Sequence, residues 1–336
     1  MRTIAIITPI FATPENGRLD YFPQTLYSVR AQNLSPSNHI VQIVVDDGST
    51  VDVEGYINEL HDPRIRYLRR EKNPQELWTA SHPLNFGIDY CLSKSGDILT
   101  RTEAHNLEAV CFLHSDDLLY WNSIEERYRG LGVGFVHTEI AFFNNKRRVL
   151  LVRRGIDAKD QGHRNLAAEY NFLFNGHTVM WQLKFLQYVK DFVGRKYEQS
   201  GVFDPMLRLG EDLDVFLSST EAAIEGEYSV DYVAAVSVLY RFHRQSISGD
   251  DNNPQSIREQ AGRLYRKHFA QQIENSRVGF LTRVKVDPFW FWFTYLAPEL
   301  KEKFAQVKYN LKGKTFRLKQ PKVIKSLEQY LSEIIQ

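Results

Sequence analysis

Apolar positions fall in short runs, and amphipathic stretches separate them. Residues 4–10 are a first apolar run, short enough for a buried strand. Leu19, Phe22, Leu26 and Val29 then recur at helical spacing and predict a helix over 19–32, with Pro23 in its first turn. Residues 41–45 read as a second strand that runs into Asp46-Asp47-Gly48-Ser49. Val53, Tyr56, Ile57 and Leu60 predict a second helix, and residues 65–68 a third strand. Leu84, Ile88, Cys91 and Leu92 predict a third helix ending near Gly96. A fourth strand, 110–113, stops abruptly at His114-Ser115-Asp116-Asp117. Such alternation predicts an α/β fold, with a mostly parallel sheet and helices on both faces. Ligands of such sheets bind beyond the carboxyl ends of the strands. Thr8, Asp46, Asp47, Asp116 and Asp117 all fall there.

The second half has a different rhythm. Residues 134–143 and 147–153 predict a hairpin around Asn144-Asn145, and 177–181 a short strand. Gly201-Val202-Phe203-Asp204 precedes Gly210-Glu211-Asp212, after which Leu213, Phe216, Leu217 and Thr220 mark a helix face. Residues 228–242 are strand-like. The polar breaker at 250–254 divides a catalytic domain, 1–248, from a C-terminal helical extension, 249–336. That extension carries helical spacing at Ile257, Ala261, Leu264, Tyr265 and Phe269, then an aromatic cluster, Phe289-Trp290-Phe291-Trp292-Phe293. Its segment 308–325 holds seven lysines and arginines and no acid. Two readings stand: peripheral docking on an anionic membrane surface, or a helical cap on the catalytic domain, which the lack of a strong amphipathic period favours.

Composition narrows the class. In 336 residues, 43% hydrophobic and 13% aromatic content supports a sizeable core. A net charge of +1 leaves no global field for nucleic acid, so no such partner is expected. The two cysteines, Cys91 and Cys111, sit in apolar surroundings and read as core residues of a reducing compartment. The apolar N-terminal stretch is short and lacks a cleavage site, so no signal peptide is expected. No run approaches the ~20 apolar residues of a membrane span. A cytoplasmic protein is expected, with peripheral contact at the inner membrane face if the extension docks there.

The acids carry the candidate chemistry. Asp116 and Asp117 would repel each other unless a cation sits between them. Mn2+ or Mg2+ with a diphosphate fits, and an Asp-rich helix cap is the plain alternative. Asp46-Asp47 at the second strand end can accept from a nucleobase edge or ribose, or simply close a turn. Glu211 and Asp212 open a helix, where the dipole favours acids; one of them can equally serve as general base toward an acceptor hydroxyl. Tyr240-Arg241-Phe242-His243 ends a strand, with His243 a third metal ligand and Arg241 facing phosphate.

Taken in order, these motifs resemble family 2 glycosyltransferases with the GT-A, Rossmann-like fold. The resemblance covers residues 3–248: Ile6-Ile7-Thr8-Pro9; Leu26-Tyr27-Ser28-Val29-Arg30-Ala31-Gln32; Val44-Val45-Asp46-Asp47-Gly48-Ser49; Asn85-Phe86-Gly87 with Gly96; His114-Ser115-Asp116-Asp117; Gly201-Val202-Phe203-Asp204 with Gly210-Glu211-Asp212; and Tyr240-Arg241 with His243, Ser246 and Ser248. It implies an inverting, nucleotide-sugar-dependent transferase, with a UDP-sugar favoured and a glycan or lipid-linked glycan of cell-surface polysaccharide synthesis as acceptor. Thr8, Pro9, Phe11, Asp46, Asp47, Asn85, Asp116 and Arg241 would bind the donor. Asp116, Asp117 and His243 would hold the metal, with Asp117 the principal ligand, and Asp212, assisted by Glu211, would be the base. His114 stands where the family's first metal-motif Asp usually stands, residues 99–108 look inserted, and the loop 11–18 is long. A nucleotide-sugar-forming nucleotidyltransferase and a degenerate sugar-binding module remain as alternatives. The first would need a Gly-rich, Arg-containing loop after the first strand, where residues 8–18 offer only Gly17.

Overall fold

The computed structural model describes residues 1–73, 75–77, 79–93, 98–153, 176–208, 210–243, 263, 264, 267, 268 and 321–335. Gly96, Arg244, Ser246, Ser248, the breaker at 250–254, the aromatic cluster at 289–293 and the basic segment up to residue 320 lie outside them.

Nine strands make one mixed sheet among the described residues, in the order β3-β2-β1-β4-β8-β6-β9-β5, with β7 beside β6. The first half runs β1 Arg2–Ile10, α1 Arg18–Arg30, β2 Asn38–Asp46, α2 Val53–Glu59, β3 Ile65–Arg69, α3 Ser81–Ser93, α4 Arg101–His105 and β4 Leu107–Phe112. Strands β3, β2, β1 and β4 are parallel, as the alternation predicts. Residues 3–10 of β1 are buried on both faces, which is why the run is continuously apolar, not alternating. Pro23 sits in the second turn of α1, not the first, because the helix starts at Arg18 behind Gly17 in the left-handed conformation (φ 60°). The supposed insertion is α4 and the start of β4. Thr100 and Glu103 form a reciprocal capping box, and Glu103 also takes two bonds from Arg66, each 3.0 Å.

The second half runs β5 Leu118–Leu119, α5 Ser123–Gly130, β6 Phe135–Asn144, β7 Val149–Arg153, a 3-10 turn Gly176–Thr178, β8 Met180–Gln182, α6 Leu183–Tyr197, α7 Glu211–Glu225, β9 Val230–Phe242 and α8 Pro321–Ile334. Strands β6 and β7 form the expected hairpin, whereas β8 and β5 run antiparallel to β4 and β9. The sheet is therefore parallel over most of its paired residues and antiparallel where these short strands join it. Helices α5 and α6 fall outside the expected set. α5 is short and polar, and α6 follows β8 without a polar break, so their apolar positions run together. Cys91 and Cys111 are both free and buried. Helix α8 lays Leu327, Leu331 and Ile334 against Leu118, Phe143 and Leu239, and the Tyr330 hydroxyl donates to the Leu119 carbonyl at 2.8 Å. It thus backs β5, the strand that leaves the acid pair. No helix among the described residues is long and apolar enough to cross a membrane.

Candidate active site

The carboxyl ends of β1, β2 and β4 lie side by side, so their polar residues share one edge of the sheet. At β1, Thr8 is buried and its hydroxyl accepts from Gln42 Nε2 at 2.9 Å; Pro9 pairs with Val45. Phe11 follows, half-buried, with the Lys72 ammonium 5.3 Å from its ring centroid.

At β2 the two acids divide their work. Asp46 is sealed from solvent; its Oδ1 accepts from the Ser49 amide at 2.7 Å and its Oδ2 from the Tyr67 hydroxyl at 2.7 Å. Gly48, at φ 83°, makes this turn possible. Asp47 instead meets Arg70, whose Nε donates at 2.6 Å and which also grips Glu76 at 2.7 Å. Burial raises the Asp47 pKa and Arg70 opposes it, with a net upward shift.

The acid pair after β4 also diverges. Asp116 Oδ2 contacts the Arg18 guanidinium and accepts from His243 Nε2 at 2.9 Å. Burial opposes its ionisation, but Arg18 and His243 hold its pKa well below the carboxylate range. Asp117 is fully buried; Oδ1 accepts from the Arg241 amide at 2.9 Å and Oδ2 lies 2.9 Å from His177 Nδ1. Burial raises its pKa, and His177 only partly offsets that. Arg241 braces the pair, with Nε donating to the Asp116 carbonyl at 2.9 Å and its guanidinium stacked 4.6 Å from the Tyr21 ring.

A narrow crevice at the candidate base reaches this pair only through His177, which contacts Asp117. Leu84, Phe112 and Phe203 form its apolar wall, and His114, His177, Glu211 and Asp212 its polar lining. The His114 and His177 rings lie 3.9 Å apart. Burial, then the neighbouring His177, drives the His114 pKa well down, so it is neutral. Burial lowers the His177 pKa too, but Asp117 overcompensates and the net shift is upward. Glu211 is pushed up to about 8 by burial and by the charge of Asp212. It keeps its proton near neutral pH and donates more readily than it accepts.

Asn85 stands beside the crevice with its amide committed to one partner. Nδ2 donates to the Phe203 carbonyl at 2.8 Å, and Oδ1 accepts from the Phe203 amide at 2.9 Å. It ties α3 to the segment that leads into α7.

A divalent cation needs oxygen or imidazole ligands, often completed by substrate phosphates. Asp116 and His243 fit that donor set by type and already converge, but the Arg18 guanidinium occupies the same carboxylate oxygen and would have to yield to a cation. Asp117 has its oxygens turned to Arg241 and His177 instead. No group of three or more His, Cys, Asp or Glu side chains among the described residues is arranged to hold a metal ion. Arg18, Arg70 and His177 are the site residues that motif reading passed over. Each acts on an acid distant in sequence, and only the length of the loop before Arg18 hinted at any of them.

Residues 6–131 match the family model described as glycosyl transferase family 2. The chain is similar to the solved structure of TarS residues 1–349 from S. aureus in complex with UDP, at 13% identity, covering 100% of this chain and 88% of that one, with a TM-score of 0.49. It is also similar to a mannosyltransferase, PcManGT from Pyrobaculum calidifontis, in complex with GDP-Man and Mn2+, at 14% identity over 98% of this chain and 85% of that one, with a TM-score of 0.47. No curated protein matches the chain.

Proposed function

We propose that the chain is an inverting glycosyltransferase, a reading supported by the match of residues 6–131 to the family model described as glycosyl transferase family 2. The donor is a nucleotide-diphosphate sugar, a UDP-sugar by preference, and the acceptor a hydroxyl of a glycan or lipid-linked glycan in cell-surface polysaccharide synthesis. One observation carries the reading. The crevice that holds Glu211 and Asp212 is lined by His177, which itself contacts Asp117 of the acid pair. His177 thus places the acid pair one side chain away from the crevice that holds the base, the proximity that direct displacement at one carbon needs.

The residues divide the work by their chemistry. Thr8 and Asp47, with Phe11 alongside, hold the nucleoside end. Asp212 accepts the acceptor's proton as its oxygen attacks, and protonated Glu211 donates a hydrogen bond that orients acceptor or base. Asp116 and His243 would hold a divalent cation, with Asp117 joining once His177 yields, and a bound cation offsets charge on the departing diphosphate. Arg241 keeps the two carboxylates in place and supplies positive charge beside the phosphates.

A panel of nucleotide sugars incubated with the full chain, with and without chelator, tests the proposal. The expected result is consumption of one donor, abolished by chelator and restored by Mn2+ or Mg2+. A chain that consumes no nucleotide sugar would refute the transferase reading; full activity in chelator would refute the metal's role alone.

A further inference from the structure

Beyond β9, three charged residues, Arg263, Lys267 and His268, meet a dense set of carboxylates. Lys267 Nζ donates to Asp214 Oδ2 at 2.7 Å and to Gln199 Oε1 at 2.6 Å, and lies 4.0 Å from Asp204 Oδ2. His268 is sealed from solvent between two carboxylates of α7: Nε2 is 2.8 Å from Asp214 Oδ1, and Nδ1 is 2.9 Å from Glu221 Oε1. With a carboxylate on each side, both ring nitrogens must donate, so the ring is the imidazolium. Arg263 Nε donates to Asp204 Oδ2 at 3.1 Å. Leu264 completes a small core with Leu207, Leu213 and Leu217. Its side chain also comes within 3.4 Å of where a Cβ on Gly210 would stand.

These contacts converge on the two segments that frame the candidate base. Asp204 ends the stretch that Asn85 grips through Phe203. Asp214 lies in the first turn of α7, two residues after Asp212, and Gly210 is the residue from which that helix starts, at φ 84°. Apolar packing would hold a helix in place with less desolvation, but ion pairs with defined directions also set its rotation about its own axis. That rotation decides where Glu211 and Asp212 point.

We propose that Arg263, Leu264, Lys267 and His268, which follow β9 in the sequence, are a clamp on the base helix, with Lys267, His268 and Arg263 as positioning residues that lock α7 against Asp204 and so aim Asp212 into the crevice. The effect on turnover rests on the transferase reading above; the clamp itself does not.

The test uses the full chain as Lys267→Met, Asp214→Asn and the double variant, with three readouts: donor turnover, UDP affinity by calorimetry, and amide hydrogen exchange over residues 211–216. Each single variant should lose between about 10- and 100-fold in kcat, as expected when a catalytic group is misaimed. UDP affinity should stay within about 3-fold, because nucleotide binding uses the other side of the sheet edge. Amides of the first turn of α7 should exchange faster. The double variant removes both charges of the Lys267–Asp214 pair and leaves His268 with Glu221 alone, so it should regain part of the lost thermal stability without regaining kcat. Recovery of both together would reduce the clamp to a structural role, and single variants with wild-type kcat and unchanged exchange would overturn it. If a single variant fails to bind UDP, the double variant decides. If the wild-type chain turns over no donor, the transferase reading fails, and the exchange comparison still decides the clamp.

Discussion

Glu211→Gln should change how stability depends on pH, in a direction the site's electrostatics dictate. Burial and the Asp212 charge push Glu211 from its ordinary 4.5 up to about 8. Below pH 4.5 the carboxyl is protonated in folded and unfolded chains alike, and its contribution to stability is fully present. As pH rises, the unfolded chain releases this proton while the folded chain keeps it, so stability falls until the pH passes about 8. At about 1.4 kcal/mol per pH unit, the interval corresponds to about 5 kcal/mol as an upper bound. Glu211 keeps part of its surface in solvent, which screens the effect, so about 2 kcal/mol is expected. The glutamine keeps the shape and has no proton to lose. Its Tm minus that of the wild type should therefore rise between pH 5 and pH 9, by about 3 °C for a chain of this size. Differential scanning fluorimetry across that range measures it directly. Groups remote from the crevice, such as His268, contribute the same slope to both proteins and cancel in the difference, whereas His177, whose pKa the Glu211 charge helps to raise, cancels only in part. Parallel curves would show that Glu211 titrates normally, and the case for Glu211 as the protonated partner of Asp212 would fail with it.

Two further outcomes are expected. Asp212→Asn should reduce transfer by at least about 100-fold while leaving UDP binding near wild type, since a base acts on the chemical step and not on the nucleotide; calorimetry and turnover on one preparation separate the two, and wild-type turnover would move the base elsewhere. Gly87→Ala should lower Tm through about 1–3 kcal/mol of overpacking, because the added Cβ would stand 2.6 Å from Ile7 Cγ2 and 3.2 Å from Val45 Cγ2; an unchanged melting curve would mean that α3 does not press on β1 and β2 as closely as described.

Much of the first half was legible because its signals are local. The apolar runs of β1 and β2 announce strands that are covered on both faces, and the spacing of Leu84, Ile88 and Cys91 announces the face of α3 that meets them. Helix α4 reads in the sequence as part of an insertion and not as a helix, although its capping by Thr100 and Glu103 is local. Legibility weakens where strands are short. β5 has two residues and β8 three, too few to show a period, and both owe their existence to antiparallel partners.

The candidate site divides along the same line. The pattern of apolar runs and acids by itself determined that Asp46-Asp47, Asp116-Asp117 and Glu211-Asp212 stand at element ends, since that depends only on where each run stops. What each acid does there was decided by chain distant in sequence. Asp116 meets Arg18 and His243, Asp117 meets His177 and the Arg241 backbone, Asp47 meets Arg70, and Asp214 meets Lys267 and His268. Asp116 and Asp117, neighbours in sequence, are thereby driven to opposite ionisation tendencies. The local pattern fixes which residues end a strand. The order β4-β8-β6-β9-β5 fixes which strand ends meet, and it follows from how the whole sheet closes over its core.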